Sequence, residues 1–416
     1  MKMRVALFTA AFPYYPGEQF LEEEMAVWDQ FGEKVDVDIF PYALNGIPRD
    51  IPSSFRIDGT FSKGSRWFRL IAVFFALVTS LFWKEALASG LPKSGGLWRA
   101  VDVLRSVAAY HAFLFRVRLN KHLGGYDVAY FYWSDDRSLA GEFLRRTGFA
   151  KRVVSRAHGA DLYEERRRGG YMPLKRRFNR AYDRLYLLSE SAKQYALSRY
   201  AYSPPSLGVA PLGVNIPEGL AAPSNDEFHI LSVSFCVPVK RLSLLIDAIR
   251  QVAEARPVAR FRWTHIGGGP LHEQIKELAR MTLSAHENLR YDLPGTITTD
   301  QVRQFYECGH IDLFLNVSQS EGMPVSIMEA MSYGVPVIAP DVGGVQHMLD
   351  DSTGMLLPAG CSAEEVAESI LAMQSMHLSS NYQRLRERAR SRAIERFDAR
   401  KNYRAFIEEV LAPRPD

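Results

Sequence analysis

Two glutamates, a lysine and an arginine stand where this sequence could do chemistry. Glu321 and Glu329 are separated by seven residues in Asn316-Val317-Ser318-Gln319-Ser320-Glu321-Gly322-Met323-Pro324-Val325-Ser326-Ile327-Met328-Glu329-Ala330-Met331. An apolar strand pattern from Ile311 to Val317 runs into the polar loop that carries Glu321. A helix pattern opens near Pro324, a residue suited to a first turn because it has no N–H to lose. Glu329 then falls about one turn in, at ~3.6 residues per turn. Free amides at such a helix start form a site for phosphate, and carboxylates beside them can accept hydrogen bonds from sugar hydroxyls. Together they suit a nucleotide sugar. A capped helix whose glutamates meet solvent is the plainer alternative, and the stretch alone leaves both open. Lys240 and Arg241 follow a strand pattern, His229–Phe235, and precede an amphipathic helix from about Leu242. Cations at a helix N-terminus oppose its macrodipole, so a bound diphosphate would explain their placement, and arginine can grip one in a bidentate manner. Gly267 opens a Gly-Gly-Gly-Pro turn after the strand Phe261–Ile266, permitting close approach of a ligand or merely tight packing.

The first half offers fewer such residues. Gly17 lies in the loop after the strand Val5–Ala10 and permits close backbone approach. The helix that follows is expected from about Glu18 to Trp28. A GxGxxG fingerprint is absent, which argues against a tightly held dinucleotide. His158 ends the strand Arg152–His158 and is followed by Gly159 and Asp161, where open α/β sheets bind ligands. A satisfied structural histidine is the other reading. Asp36 and Asp38 alternate along Val35–Phe40, and solvated edge positions suit them better than a metal. The basic run from Arg166 to Arg177 is either a solvated surface or a phosphate-binding loop.

The elements that must position these residues form two βα series. Pro217–Asn225, rich in Pro, Ala, Gly and Ser, reads as the join between them. The expected division is a first domain over 1–216, a linker over 217–226, a second domain over 227–395, and a C-terminal helix over 396–416 that packs back toward the first domain. The Arg-rich helix near Gln383–Glu395 reads as a solvated face. A hydrophobic content of 47% in 416 residues is that of an ordinary globular protein. Residues 1–220 hold 31 basic and 22 acidic residues, and 221–416 hold 20 and 25, so the basic front half favours an anionic partner or membrane surface. No nucleic-acid partner is expected. Cys236, Cys308 and Cys361 are far apart, which argues against a disulfide scaffold or zinc site. His111, His122 and His158 lack ligand spacing, so no metal is expected. The start runs directly into a strand, without a visible signal peptide, and a cytoplasmic protein is expected. Leu70–Trp83 is an apolar run flanked by Arg66, Arg69 and Lys84. It falls short of the ~20 residues that span a bilayer. A buried helix is the plainer reading, and a shallow membrane-inserting helix, with Trp67, Phe68, Phe82 and Trp83 as interfacial aromatics, is the sharper one.

The sequence resembles family 4 of the retaining glycosyltransferases. The resemblance rests on Glu321-Gly322-Met323-Pro324, Glu329-Ala330 and Gly334-Val335-Pro336-Val337-Ile338, which look like that family's E-x7-E signature. Val239-Lys240-Arg241, Ile266–Pro270, Asp341-Val342-Gly343-Gly344 and Thr353–Leu357 support it. Phe12-Pro13, Gly17-Glu18, His158 and Pro211–Val214 match more loosely. The resemblance implies an α/β protein of GT-B fold, with two Rossmann-like domains facing a cleft. It implies transfer of a sugar from a UDP- or GDP-sugar, with retention and without a metal or other cofactor, in bacterial envelope polysaccharide biosynthesis. The acceptor would be a glycan, also one carried on a polyprenyl diphosphate, at the inner face of the cytoplasmic membrane. Glu329 would bind the donor ribose and Glu321 would face the donor sugar, with amides near Gly322, Met323, Pro324 and Val325 around the sugar and phosphates. Lys240 and Arg241 would meet the leaving diphosphate, Gly17 would let its loop approach, His158 would assist near the sugar, and the loop at Leu293 would meet the base. Two positions depart from the family pattern, Phe235 standing for an arginine and His347 for a glutamate. A nucleotide-sugar epimerase of the same fold and a non-catalytic carbohydrate-binding relative are the competing readings.

Overall fold

The computed structural model describes residues 2–15, 17–62, 64, 66–90 and 96–413, with the side chains of Arg66 and Trp67 left out. Arg66 and Trp67, named above for the apolar run, are therefore described for their backbone alone. The chain forms two compact units: Met1–Pro211 with Tyr403–Asp416, and Leu212–Asn402.

The first unit runs β1 (Met3–Thr9), α1 (Leu21–Asp29), β2 (Val35–Pro41), β3 (Phe55–Ile57), α2 (Arg66–Val78), α3 (Ser80–Ala88), α4 (Gly96–Leu119), β4 (Tyr126–Phe131), α5 (Gly141–Arg146), β5 (Ala150–Ala157), β6 (Arg184–Leu187), α6 (Glu190–Tyr200) and β7 (Leu207–Val209). Its seven strands are parallel in the order β3-β2-β1-β4-β5-β6-β7. The central strands are almost wholly buried, as expected of a parallel sheet covered on both faces. The second unit runs β8 (Phe228–Val233), α7 (Leu242–Ala255), β9 (Phe261–Ile266), α8 (His272–Leu283), β10 (Leu289–Gly295), α9 (Thr299–Cys308), β11 (Leu313–Leu315), α10 (Val325–Ser332), β12 (Val337–Pro340), β13 (Gly354–Leu357), α11 (Ala363–Met376) and α12 (Ser380–Phe397). Its six strands are parallel in the order β10-β9-β8-β11-β12-β13. The last helix, α13 (Ala399–Leu411), starts in the second unit, where the Ala399 amide donates to Val214. From Tyr403 on it belongs to the first unit, and Phe406 lies 4.0 Å from the Arg156 guanidinium there.

Each sheet has one place where the strand order reverses, between β1 and β4 in the first and between β8 and β11 in the second. The loops leaving the C-terminal ends of two strands diverge there and leave a crevice, which is where open α/β sheets bind ligands.

Several expectations change. Glu18 does not start a helix; its backbone is left-handed and α1 begins at Leu21. Asp38 is buried, not a solvated edge residue, because β2 lies inside the sheet; it accepts from Arg56 at 2.9 Å and Tyr126 at 2.7 Å. Asp36 meets Lys2 at the surface. The Arg-rich helix α12 is not simply a solvated face. Arg386 is buried and donates to the Ala221 carbonyl, and Arg390 donates to Pro217 and Ser332. These arginines fasten the 217–221 stretch, so it is bound along the second unit and is not a free linker. The basic run after Arg166 is also partly internal: Lys175 is buried and donates to Ser134 at 2.8 Å. The apolar run does not make a core helix. Ala76 is the residue of α2 that is fully buried, while Leu70, Ile71, Phe74, Phe75 and Val78 are exposed.

Candidate active site

The reversal point of the second sheet gathers the residues with which the sequence reading began. After β8 the chain makes a tight turn through Pro238–Lys240 and enters α7 from Arg241, whose backbone is left-handed. After β11, Asn316 turns the chain by accepting from the Ser318 amide at 2.8 Å. The two loops are stitched together where the Gln319 amide donates to Val239 at 2.8 Å. Lys240 and Glu321, 81 residues apart in sequence, then meet at 2.6 Å. Asn316 donates to the same carboxylate oxygen at 3.1 Å. Burial alone would raise the Glu321 carboxyl. The Lys240 ammonium, with hydrogen bonds from Ser318 and Asn316, outweighs it and holds the group below the ordinary carboxylate range, as a charged acceptor. A lysine has three donors, so the one spent on Glu321 leaves two for an incoming anion. The Lys240 side chain remains 20% exposed to receive it.

Beside this pair α10 begins. Pro324 precedes its first turn, and the Ile327 amide is bonded back to Pro324 at 3.1 Å. The amides of Val325 and Ser326 lie ahead of that bond and have no intrahelical acceptor. Glu329 is half-buried on the same helix. Gly343 and Gly344 brace the loop from behind. The Gly344 amide donates to Gly322 at 2.7 Å, and Gly343 has φ of +57°. A β-carbon on Gly343 would overlap the Glu321 carbonyl oxygen, so only glycine allows this approach.

The structure does not bring every predicted residue to the pair. The Arg241 guanidinium donates to the Val317 carbonyl at 2.6 Å and to the carbonyl of Cys361 at 3.3 Å. It ties the two loops together, which leaves the anion to Lys240. Gly267, with φ of +142°, packs against the Ser234 carbonyl. Leu293 lies at the end of β10, partly buried on the core of the same unit.

The reversal point of the first sheet carries Gly17 and His158, on the loops after β1 and β5. Gly17 is packed against the Ala11 side chain. The working residue is its neighbour, Glu18. Its carboxylate accepts from the amides of Ala10 at 2.9 Å, Ala11 at 2.6 Å and Phe12 at 2.5 Å, and from the Trp133 indole at 2.5 Å. Glu18 thus joins the loop after β1 to the loop after β4. Trp133 in turn packs at a tilt against His158, with ring centroids 4.5 Å apart, and Tyr132 does the same at 4.8 Å. The His158 amide donates to Asp161 at 2.5 Å, which fixes the turn. Burial, aided by the nearby Arg156 charge, lowers the imidazole well below its usual range, so the ring is neutral at physiological pH. Both ring nitrogens are buried and have no hydrogen-bond partner. Such orphaned atoms in an aromatic cage are costly unless a ligand group satisfies them. Next to the cage, burial raises Asp161 to about 6 and lowers Lys175 to about 8. Glu18 and Lys175 were missed as site residues because their types are ordinary for surface loops. Gly17 just before Glu18 was the available signal for the first.

Residues 227–375 match the protein family described as Glycosyl transferases group 1. The second unit carries a glycosyl transferases group 1 domain. Among curated proteins, the chain is 25% identical over 270 residues to the amylovoran biosynthesis glycosyltransferase AmsK of Erwinia amylovora, covering 62% of this chain and 63% of that one. It is 30% identical over 178 residues to a component of the phosphatidylinositol N-acetylglucosaminyltransferase of Arabidopsis thaliana, covering 42% and 38%. The matched region therefore spans less than two thirds of these relatives' own lengths. Among solved structures, HepE of Anabaena in complex with UDP and glucose superposes with a TM-score of 0.65 at 16% identity, over 99% of this chain and all of that one. The two parallel units are those of the GT-B fold.

Proposed function

We propose that the chain is a retaining glycosyltransferase. It moves a sugar from a UDP- or GDP-sugar to a glycan acceptor carried on a lipid, in bacterial cell-envelope polysaccharide biosynthesis. The observation that carries this reading is the Lys240–Glu321 pair beside the open amides of α10. The relatives named for polysaccharide and glycolipid synthesis, and the neighbour solved with UDP and glucose, support the same class.

On this reading the donor diphosphate lies across Lys240 and the amides of Val325 and Ser326, Glu329 takes the ribose hydroxyls, and Glu321 accepts from sugar hydroxyls. The bond from the anomeric carbon to the diphosphate oxygen breaks as the acceptor oxygen bonds on the same face. The acceptor proton passes to the departing diphosphate. The new negative charge is met by a fixed ammonium and fixed amide dipoles, an electrostatic task that requires no metal. His158, neutral and unpartnered, would hydrogen-bond a sugar hydroxyl. The site of action is the cytoplasmic face of the membrane.

Thermal shift with a panel of nucleotide sugars tests the donor, since a ligand of the folded state raises apparent stability. A response to one uridine or guanosine sugar is expected, and silence across the panel overturns the reading. With that donor, NMR of the product shows the anomeric configuration, and activity in the presence of a chelator tests metal independence. Conversion of the donor without any acceptor would favour an epimerase.

A further inference from the structure

Ser134, just past β4, is held by two buried charges. Its amide donates to Asp161 at 2.7 Å, and the other oxygen of that carboxylate takes the His158 amide at 2.5 Å. One side chain thus grips the loop after β4 and the loop after β5 together. From the other side the Lys175 ammonium donates to the Ser134 carbonyl and hydroxyl, both at 2.8 Å. The Tyr182 hydroxyl, 2.9 Å from that of Ser134 and 2.6 Å from that of Ser138, closes the network. Asp161 and Lys175 are both buried, yet the ammonium gives these bonds to Ser134 and not to the carboxylate.

Burying two charges is costly, and joining two loops does not by itself require it. What a charged partner adds is a shorter and stronger hydrogen bond. The residues so held flank a ring contact. Trp133 precedes Ser134, and its indole lies against the His158 ring. The Glu18 carboxylate takes the indole N–H, and Phe20 and Tyr132 complete the enclosure. Neither imidazole nitrogen has a hydrogen-bond partner, so ring packing and the His158 backbone set the direction of the ring.

We propose that Asp161 and Lys175 are positioning residues for His158. The carboxylate fixes the backbone of His158 and of the residue after Trp133, the ammonium fixes that second residue from behind, and the imidazole is thereby aimed at a sugar hydroxyl. The hydroxyl rests on the glycosyltransferase reading; the clamp is independent of it.

Such a clamp has a pH signature. Burial raises Asp161 to about 6, against the pull of Lys175 and of the amides. Protonation below that value removes the charged acceptor and slackens both amide bonds. The groups facing Asp161 are Lys175, Tyr182 and Tyr202, and those facing Lys175 include Asp135, Asp136 and Arg167. Burial raises both tyrosines far above this range, so neither titrates in it. Asp136, beside Ser106 of α4, is also raised to about 6 by burial and serves as the control.

The test is the pH dependence of kcat and of Trp133 emission, the latter taken as the difference between each chain and its Trp133→Phe counterpart. Both should change in the parent with a midpoint at about pH 6. Asp161→Asn should erase the emission midpoint, lower kcat about tenfold and leave the KM for donor within about twofold. Lys175→Met leaves Asp161 buried without its cation, and should move both midpoints up by about one pH unit. Asp136→Asn should keep both midpoints, and His158→Phe should keep that of emission. A midpoint that persists in D161N, stays in place in K175M or vanishes in D136N overturns the proposal. So does an unchanged kcat in D161N. Should D161N fail to fold, the upward shift in K175M decides. If the parent transfers no sugar while D161N still erases the emission midpoint, the functional reading falls and the clamp stands.

Discussion

Both units bury a carboxylate against a cation at 2.6 Å, Glu24 with Arg156 in the first and Glu321 with Lys240 in the second. The chemistry is alike and the use differs. Glu24 and Arg156 have no exposed side-chain area. Glu24 also accepts from Tyr130 and Trp28, and Phe406 covers the guanidinium. Burial opposes the Arg156 charge and Glu24 more than restores it, raising its pKa. No ligand can reach that pair. It joins α1 to β5 within the sheet core. Glu321 and Lys240 lie instead on loops beyond the strand ends, with part of the ammonium open. The lesson is one of access: enclosed between α1 and β5, an ion pair holds elements together, and on loops beyond the strand ends the same kind of pair is a charged site with room for an anion.

The comparison can be broken from its structural side first. Glu24→Ala leaves Arg156 charged and buried, and should cost about 3–5 kcal/mol in urea denaturation, while the folded fraction still binds donor. Replacing both partners, Glu24→Leu with Arg156→Met, should recover most of that loss. If the single variant is as stable as the parent, the pair is not the fastening described. On the functional side, Lys240→Ala should lower kcat/KM by about 10²–10³, the effect of removing one fixed electrostatic donor, with the fold kept by circular dichroism. Without the ammonium, burial raises the Glu321 carboxyl. The variant then takes up a proton that the parent does not, so its denaturation midpoint should approach the parent's as pH falls from about 7 to about 5. A gap that stays constant would argue that Glu321 is not held charged by Lys240.

Two smaller effects sharpen the contrast. Gly343→Ala forces a side chain against the Glu321 carbonyl at a left-handed position, and should cost about 1–3 kcal/mol and weaken UDP binding with it. Unaltered UDP affinity would show that the bracing glycines do not shape the donor loop. His158→Phe keeps the aromatic cage and removes both orphaned nitrogens. Its kcat should fall about 10²-fold if the ring assists at the sugar, with the nucleotide affinity unchanged. The folded-state imidazole pKa is depressed, so the parent should lose stability as pH falls below about 6.5, the unfolded value. The phenylalanine variant should lose less over that range, which stepwise urea titration can measure.

The second unit was readable because its chemistry is local. Strand, loop and helix start lie within a dozen residues of Glu321, and a cation at a helix start is anomalous on sight. Arg241 shows the limit of that reading. Its charge and position suggested phosphate, yet the left-handed turn directs its guanidinium to Val317 and Cys361. In the first unit the signals were spread across the chain. Glu18 meets Trp133, and Lys175 meets Ser134, through contacts of more than forty residues' separation. The sequence offers Glu18 as a helix start and leaves Lys175 in a basic run that suits a solvated surface or a phosphate-binding loop. The apolar run was ambiguous for a different reason: composition gives how apolar a helix is, not which neighbours cover it.

The sequence by itself determined the two βα series, the strand-end loops and the identity of Glu321, Lys240 and His158 as residues of interest, because periodicity and loop chemistry are properties of neighbouring residues. Tertiary structure decided the rest. It paired Lys240 with Glu321, turned Arg241 away, filled the first loop's amides with Glu18, left the His158 ring unpartnered and exposed the face of α2. Each of these depends on which distant backbone lies within three or four ångströms of a side chain. Charge, burial and solvation are set at that distance, and no spacing along the chain encodes it directly.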